Sequence, residues 1–156
     1  MIDIDIPGLR LLEINHLVLD YNGTLALDGV LLPGVAEVLI ALATHVQIHV
    51  LTADTFGHAK AQLAGVPAKL SIAPLHGQTD WKQQFVVALG ADAVVAIGNG
   101  RNDSKMLAAA AVGIALIQRE GAAAVTVTSA DVLCTSIFDA LALLQNPKRL
   151  IATLRS

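Results

Sequence analysis

Charge, rings and thiols are all scarce in this sequence. Asp, Glu, Lys and Arg make up 15% of its 156 residues, where a soluble domain averages about 25%. Aromatic residues supply only 3%, so the 54% hydrophobic content is mostly Ala, Val, Leu and Ile. One cysteine, Cys134, excludes an internal disulfide and a thiolate metal cage, which fits a reducing cytoplasm. Basic residues are outnumbered 10 to 13 for a net charge of −3, which argues against nucleic acid as a partner. Long apolar runs are missing as well, despite a mean hydropathy of +0.63. The longest stretch without a charged residue runs from Val38 to Ala53, and His45, Gln47 and His49 interrupt it. That falls short of the roughly 18 clean apolar residues of a spanning helix. The start, MIDIDIPGLR, carries two acids and no basic region of the kind that opens a secretory leader. Hydropathy this high is equally incompatible with intrinsic disorder. The expectation is a single cytoplasmic domain over 1–156, with no membrane partner, hiding apolar surface in a homo-oligomer.

What the chain does have is alternation. Short β-branched runs at His16–Leu19, Val46–Leu51, Lys69–Ala73, Ala93–Ile97, Val112–Leu116 and Asp131–Cys134 read as strands. Between and after them, Pro33 to about Thr44, Phe56–Ala64, Gln78–Leu89, Asn102–Ala110, Ile137–Leu144 and Pro147–Leu154 read as helices. Strands that are apolar nearly throughout are buried on both faces, so the fold class is α/β, a three-layer parallel sheet with helices on both sides. Ile2–Ile6 alternates strictly and Leu9–Ile14 follows, which predicts an edge hairpin over 1–14. A second hairpin is expected over 25–32, where Asp28-Gly29 is a type I′ turn pair between apolar residues.

In such sheets ligands bind outside the carboxyl ends of the strands. The polar residues that follow the strands here are Asp20-Tyr21-Asn22-Gly23-Thr24, then Thr52, then Gly98-Asn99-Gly100-Arg101-Asn102-Asp103, with Lys82 on the helix before the fourth strand. Each suits a phosphoryl group or a hard cation. An aspartate can attack phosphorus. Gly23 permits a tight turn in which successive N–H groups form an anion nest. The Thr52 hydroxyl can donate to a phosphoryl oxygen, and Lys82 adds a compact positive charge. Asn99 and Asp103 offer oxygens to Mg²⁺.

The run LDYNGTL, followed in order by Thr52, Lys82 and GNGRNDSKML, resembles the four motifs of the haloacid dehalogenase superfamily over roughly Leu17 to Leu116. GNGRNDSKMLAAAAVGIAL is similar to the hinge-and-metal motif of P-type ATPase phosphorylation domains. The resemblance implies a Rossmann-like fold and Mg²⁺-dependent phosphatase activity through an aspartyl-phosphate. It makes Asp20 the nucleophile and Thr52 and Lys82 the phosphoryl binders, and Gly23 and Thr24 on the tight turn are expected to bind substrate beside them. Asp20, the Asn22 carbonyl, Asn99 and Asp103 are then the metal ligands. The substrate would be a phosphorylated small molecule or a phosphoprotein. Asn22 stands where the superfamily usually has a general acid/base Asp, and its amide cannot titrate, so hydrolysis is expected to be slow. Asn99 replaces another usual Asp and removes a charge from the cation site. No insertion is large enough for a cap domain, and the 25–32 hairpin resembles the flap by which capless members oligomerise. A phosphate-binding or regulatory module on the same fold, and a domain whose aspartyl-phosphate persists, are the alternatives.

Single residues also have plain readings. Asp54 suits a helix cap, Asp80 a helix-start acid, Arg101 a surface charge and Cys134 a small core residue. Of the histidines, only His58 falls near the rim.

Overall fold

The computed structural model describes every residue except Thr55 and Phe56. Its elements run β1 (Ile2–Ile6), β2 (Arg10–Ile14), β3 (His16–Asp20), β4 (Ala26–Leu27), β5 (Val30–Leu31), α1 (Val35–Leu42) and β6 (Gln47–Thr52). Then come α2 (His58–Gln62), β7 (Ala68–Ile72), α3 (Gln78–Leu89), β8 (Val94–Gly98), α4 (Ser104–Ala109) and β9 (Val112–Leu116). The chain closes with α5 (Ala124–Ser129), β10 (Val132–Cys134), α6 (Ile137–Gln145) and α7 (Pro147–Leu154). A 3-10 turn over Arg101–Asp103 leads into α4. The helix expected over Phe56–Ala64 begins on a residue outside the described set, and its described part is α2.

Six strands form one parallel sheet in the order β10-β9-β8-β3-β6-β7. The chain builds outward from β3 through β6 to β7, then returns to the other side of β3 with β8. The reversal point is therefore the β3/β8 boundary, the place where an open α/β sheet leaves a crevice at its carboxyl edge. Asp20 and Thr52 are the last residues of β3 and β6 rather than the first of their loops.

Because side chains alternate along a strand, the sheet feeds two separate cores. Leu17, Leu19, Ile48, Val50, Val95, Ile97, Ile114 and Leu116 point to one side, where they meet α1, α6 and α7. Val18, Leu51, Val94, Ala96 and Ala115 point to the other, under α3 and α4. On this second side α4 lies very close to β9: a Cβ placed on Gly113 would sit 2.3 Å from the Leu107 carbonyl oxygen. Only glycine admits that approach.

The N-terminal hairpin is not an edge of this sheet. β1 and β2 pair antiparallel from Ile2↔Ile14 to Ile6↔Arg10 as a sheet of their own. Ile4, Ile6, Leu12 and Ile14 enter the large aliphatic core and the alternate positions face solvent. The sequence reading also missed α5. Its residues, Ala-Val-Thr-Val-Thr-Ser, are rich in β-branched side chains of low helix propensity, and packing against α4 and β9 overrides that preference.

Among the described residues no cap separates the motifs. From β3 to β6 the chain holds only the β4–β5 hairpin and α1, and from β6 to α3 the described elements are α2 and β7. Among the described residues no helix is long and apolar enough to cross a membrane.

Candidate active site

The structure gathers Asp20, Lys82 and Asp103 into one buried ion cluster at the reversal point. The Lys82 ammonium lies 2.9 Å from Asp20 Oδ1 and 2.7 Å from Asp103 Oδ1. Lys82 is 1% exposed and Asp103 is fully enclosed. A lysine on a helix is usually solvated; this one reaches inward from the first turns of α3 because two carboxylates wait for it. Burial works against its charge, but Asp20 and Asp103 outweigh burial and raise its pKa. Asp20 feels the opposite balance. Burial and the neighbouring Asp103 push its carboxyl up to about 7, against the pull of Lys82 and the Thr24 hydroxyl. Two carboxylates share one cation, so the cluster carries an uncompensated negative charge when both are ionised.

Asp103 is engaged by three donors. Its Oδ2 accepts from the N–H groups of Asn99 (3.1 Å) and Gly100 (2.9 Å), while Oδ1 receives Lys82. It thus fixes the loop after β8 and aims the lysine. These bonds turn Asp103 toward the lysine and the loop, and Oδ1 keeps a lone pair beyond the one that receives Lys82.

The turn after Asp20 differs from expectation. Gly23 has φ +79°, and a Cβ there would lie 2.3 Å from Asn99 Nδ2, so the position demands glycine. The N–H groups of Gly23 and Thr24 do not form an open anion nest, however. They donate to the carbonyls of Ala26 (2.9 Å) and Tyr21 (3.2 Å), closing the turn on itself. The Thr24 side chain is buried; its hydroxyl lies 3.3 Å from Asp20 Oδ2 and 3.4 Å from Asn99 Oδ1, one proton serving both oxygens. Asn22 is exposed at the mouth of the site.

Thr52 is buried at the end of β6, next to Leu51, which pairs with Asp20 in the ladder. Its oxygen accepts from the Asp54 N–H at 3.1 Å, which orients the hydroxyl proton as a donor. Asp54 accepts from the Ala59 N–H at 2.6 Å, as a helix-start residue does. Arg101 is exposed, and Asp80 pairs with Lys105 at the surface.

Oxygens suited to a hard cation are present: Asp20 Oδ2 and Asn99 Oδ1, both within reach of the single Thr24 hydroxyl, and the Asn22 carbonyl on the adjoining turn. Among the described residues, no group of three or more His, Cys, Asp or Glu side chains converges to hold a metal. The set fits Mg²⁺, which keeps several waters and takes few protein oxygens. With Lys82 bound to both nearby carboxylates, it fits as a weak site.

One polar residue on the rim escaped the sequence reading. Gln118, two residues past β9, donates from Nε2 to the carbonyls of Gly23 and Thr24, both at 3.1 Å. Its Oε1 accepts from the N–H of Ile137 at the start of α6, at 2.8 Å. A lone Gln after the apolar run VGIALI was the available signal. With Leu27, Leu32, Ile117 and Arg119 it lines a cleft of about 430 Å³ beside Gly23.

Comparison with known proteins gives this geometry its context. No protein-family model matches the chain. The uncharacterized protein MJ0073 of Methanocaldococcus jannaschii is 48% identical over 62 residues, 40% of this chain and 67% of that protein. Among solved structures, the 3-deoxy-D-manno-octulosonate 8-phosphate phosphatase of Moraxella catarrhalis, in complex with magnesium, phosphate and KDO, superposes with a TM-score of 0.70. It is 16% identical, and the match covers 91% of this chain and 94% of that one. The cobalt-bound deoxy-D-mannose-octulosonate 8-phosphate phosphatase of Haemophilus influenzae gives 0.71 at 12% identity, over 92% and 94%. A zinc-transporting PIB-type ATPase gives 0.61 at 28% identity over 79% of this chain, which spans 20% of that transporter. The chain belongs to one family with the MJ0073 protein, and its fold is that of the haloacid dehalogenase hydrolases and of the matching part of the P-type ATPase.

Proposed function

We infer that this domain is a slow phosphohydrolase that passes a phosphoryl group through Asp20. The observation that carries the reading is the buried Lys82 ammonium held between Asp20 and Asp103 at the sheet's reversal point. A carboxylate buried beside a lysine, and oriented by Thr24, is a positioned nucleophile. Lys82 offsets the charge of an incoming phosphate against that of Asp20, and Asp103 keeps Lys82 protonated and in place. The Thr52 hydroxyl donates to a phosphoryl oxygen. Asp20, the Asn22 carbonyl and Asn99 would hold Mg²⁺, which when bound neutralises phosphoryl oxygens. Asp103 supports the site from behind.

Asn22 sits where a general acid/base would act and cannot exchange a proton. The leaving oxygen must therefore be protonated from solvent, and water attacks the aspartyl-phosphate without help, so the intermediate persists. Loss of such a group costs about 10²–10⁴ in rate. The exposed, uncapped rim suits a phosphorylated small molecule with a good leaving group, or a phosphoprotein. The setting proposed is the cytoplasm, in a homo-oligomer.

The test is turnover of an activated aryl phosphate with Mg²⁺ by the wild type, Asp20→Asn and Asn22→Asp. Slow wild-type turnover is expected, abolished in Asp20→Asn and raised at least about tenfold in Asn22→Asp. Turnover that survives Asp20→Asn overturns the reading. Phosphate binding with no turnover replaces it with a binding module, a reading favoured by the way Asn99 spends its amide on the Gly121 carbonyl (3.0 Å).

A further inference from the structure

Three of the four residues from Gln118 to Gly121 bond to segments of the candidate site that follow β3 and β8. Gln118 binds the Gly23 and Thr24 carbonyls. Glu120 Oε2 accepts from the Asp28 N–H at the tip of the β4–β5 hairpin, at 3.3 Å. The Gly121 carbonyl accepts from Asn99 Nδ2. The segment is itself a turn, closed by the Gly121 N–H on the Gln118 carbonyl at 2.9 Å.

Within it, the demands on position 118 are narrow. Two backbone carbonyls must receive N–H groups from one nitrogen, while a backbone N–H on the far side needs an acceptor. A primary amide alone among side chains supplies both. Glutamate would satisfy Ile137 but set a carboxylate against two carbonyls, and lysine would leave the Ile137 N–H without its acceptor. Gln118 binds the carbonyls of Gly23 and Thr24. The N–H groups of the same two residues bind the carbonyls of Ala26 and Tyr21. Held through both its carbonyls and its N–H groups, the turn sets the Thr24 hydroxyl against Asp20 Oδ2 and Asn99 Oδ1. Lys82 anchors one oxygen of Asp20 and Thr24 the other, and the second anchor is only as firm as the turn that carries it.

We propose that Gln118 is a positioning residue for phosphoryl transfer, acting on Asp20 through the 22–24 turn and Thr24. The proposal rests on Asp20 being the nucleophile for its kinetic consequence, but not for its structural one. Gln118→Glu preserves size and the bond to Ile137 while reversing the polarity toward Gly23 and Thr24; Gln118→Met removes all three bonds without adding charge.

Two measurements are made on both variants: amide hydrogen exchange resolved to Gly23 and Thr24, and kcat and KM for an activated aryl phosphate. In both variants the Gly23 and Thr24 amides are expected to exchange about tenfold faster, with β8 amides unchanged. A fall in kcat of about tenfold at nearly constant KM is the kinetic signature expected of a displaced reacting group. Unchanged exchange at Gly23 and Thr24, or a loosening spread evenly over β8 as well, overturns the proposal. So does wild-type kcat in both variants. If the wild type itself shows no turnover, the phosphatase reading falls, and selective loosening of Gly23 and Thr24 still upholds the hold of Gln118 on the turn.

Discussion

The two faces of the six-stranded sheet are filled on different principles. One face is a thick layer of Leu, Ile and Val shared with α1, α6, α7 and the β1–β2 hairpin. The other is thin. Ala96, Ala110, Ala115 and Gly113 bring α4 almost onto the strands, with Val18, Leu51, Val86, Met106 and Leu107 filling what remains. The thin face carries the helices that matter to the site. Lys82 projects from α3, and Asp103 ends the turn that starts α4. The thick face supplies cohesion, which any well-filled set of aliphatic side chains provides. The thin face sets distance, since close backbone approach leaves little room to drift. An ammonium placed 2.7 and 2.9 Å from two carboxylates needs the second kind of packing.

This contrast is open to attack by mutation, most forcefully at Asp103. Replacing it with Ala removes a buried partner of Lys82 and the acceptor of two backbone N–H groups. The expected loss is about 3–5 kcal/mol of unfolding free energy in urea titrations. A loss no larger than for a surface acid would show that the cluster is not structural. Next comes the packing itself. Gly113→Ala drives a methyl into the Leu107 carbonyl and should cost about 1–3 kcal/mol, whereas Leu39→Met on the thick face should stay below about 1.5 kcal/mol. Equal costs would erase the distinction between the faces.

The smallest effect concerns acid. The thin face buries His49, which packs edge-on to Phe85 and lies 3.2 Å from His16 Nδ1. Burial first, then His16 and Lys69, lower its pKa to about 4. Since the unfolded chain binds this proton near pH 6.5 and the folded one only near 4, the associated stability is present above 6.5 and is lost between those values. Melting temperatures followed from about pH 7 to 4 should decline less steeply in His49→Phe than in the wild type. Parallel profiles would mean that acid acts elsewhere.

Much of the architecture was written locally. Runs such as HLVLD and VVAIG are apolar on both alternating faces and stop at a polar residue or a glycine, so both the buried parallel strands and the chemistry-bearing rim follow from pattern alone. Lys82 was harder, because a lysine one turn into a helix reads identically whether solvated or buried. Its importance depends on carboxylates 62 and 21 residues away. The closed turn at Gly23 and Thr24 and the donors gathered around Asp103 were illegible for a related reason. Which carbonyl an N–H finds, and which donors fill a carboxylate, are decided by loop closure in three dimensions. The helix α5 shows the same limit, with tertiary packing outvoting Val and Thr.

The ammonium of Lys82 also ties distant parts of the chain together. The segments it joins come from β3, α3 and the turn before α4, and contacts so distant along the chain must bear loop-closure entropy before they form. A partly folded copy, with β3 and β6 paired but α3 undocked, leaves Asp20 an ordinary solvated carboxylate. The buried ion cluster thus comes into being only when α3 and the turn before α4 are docked against β3.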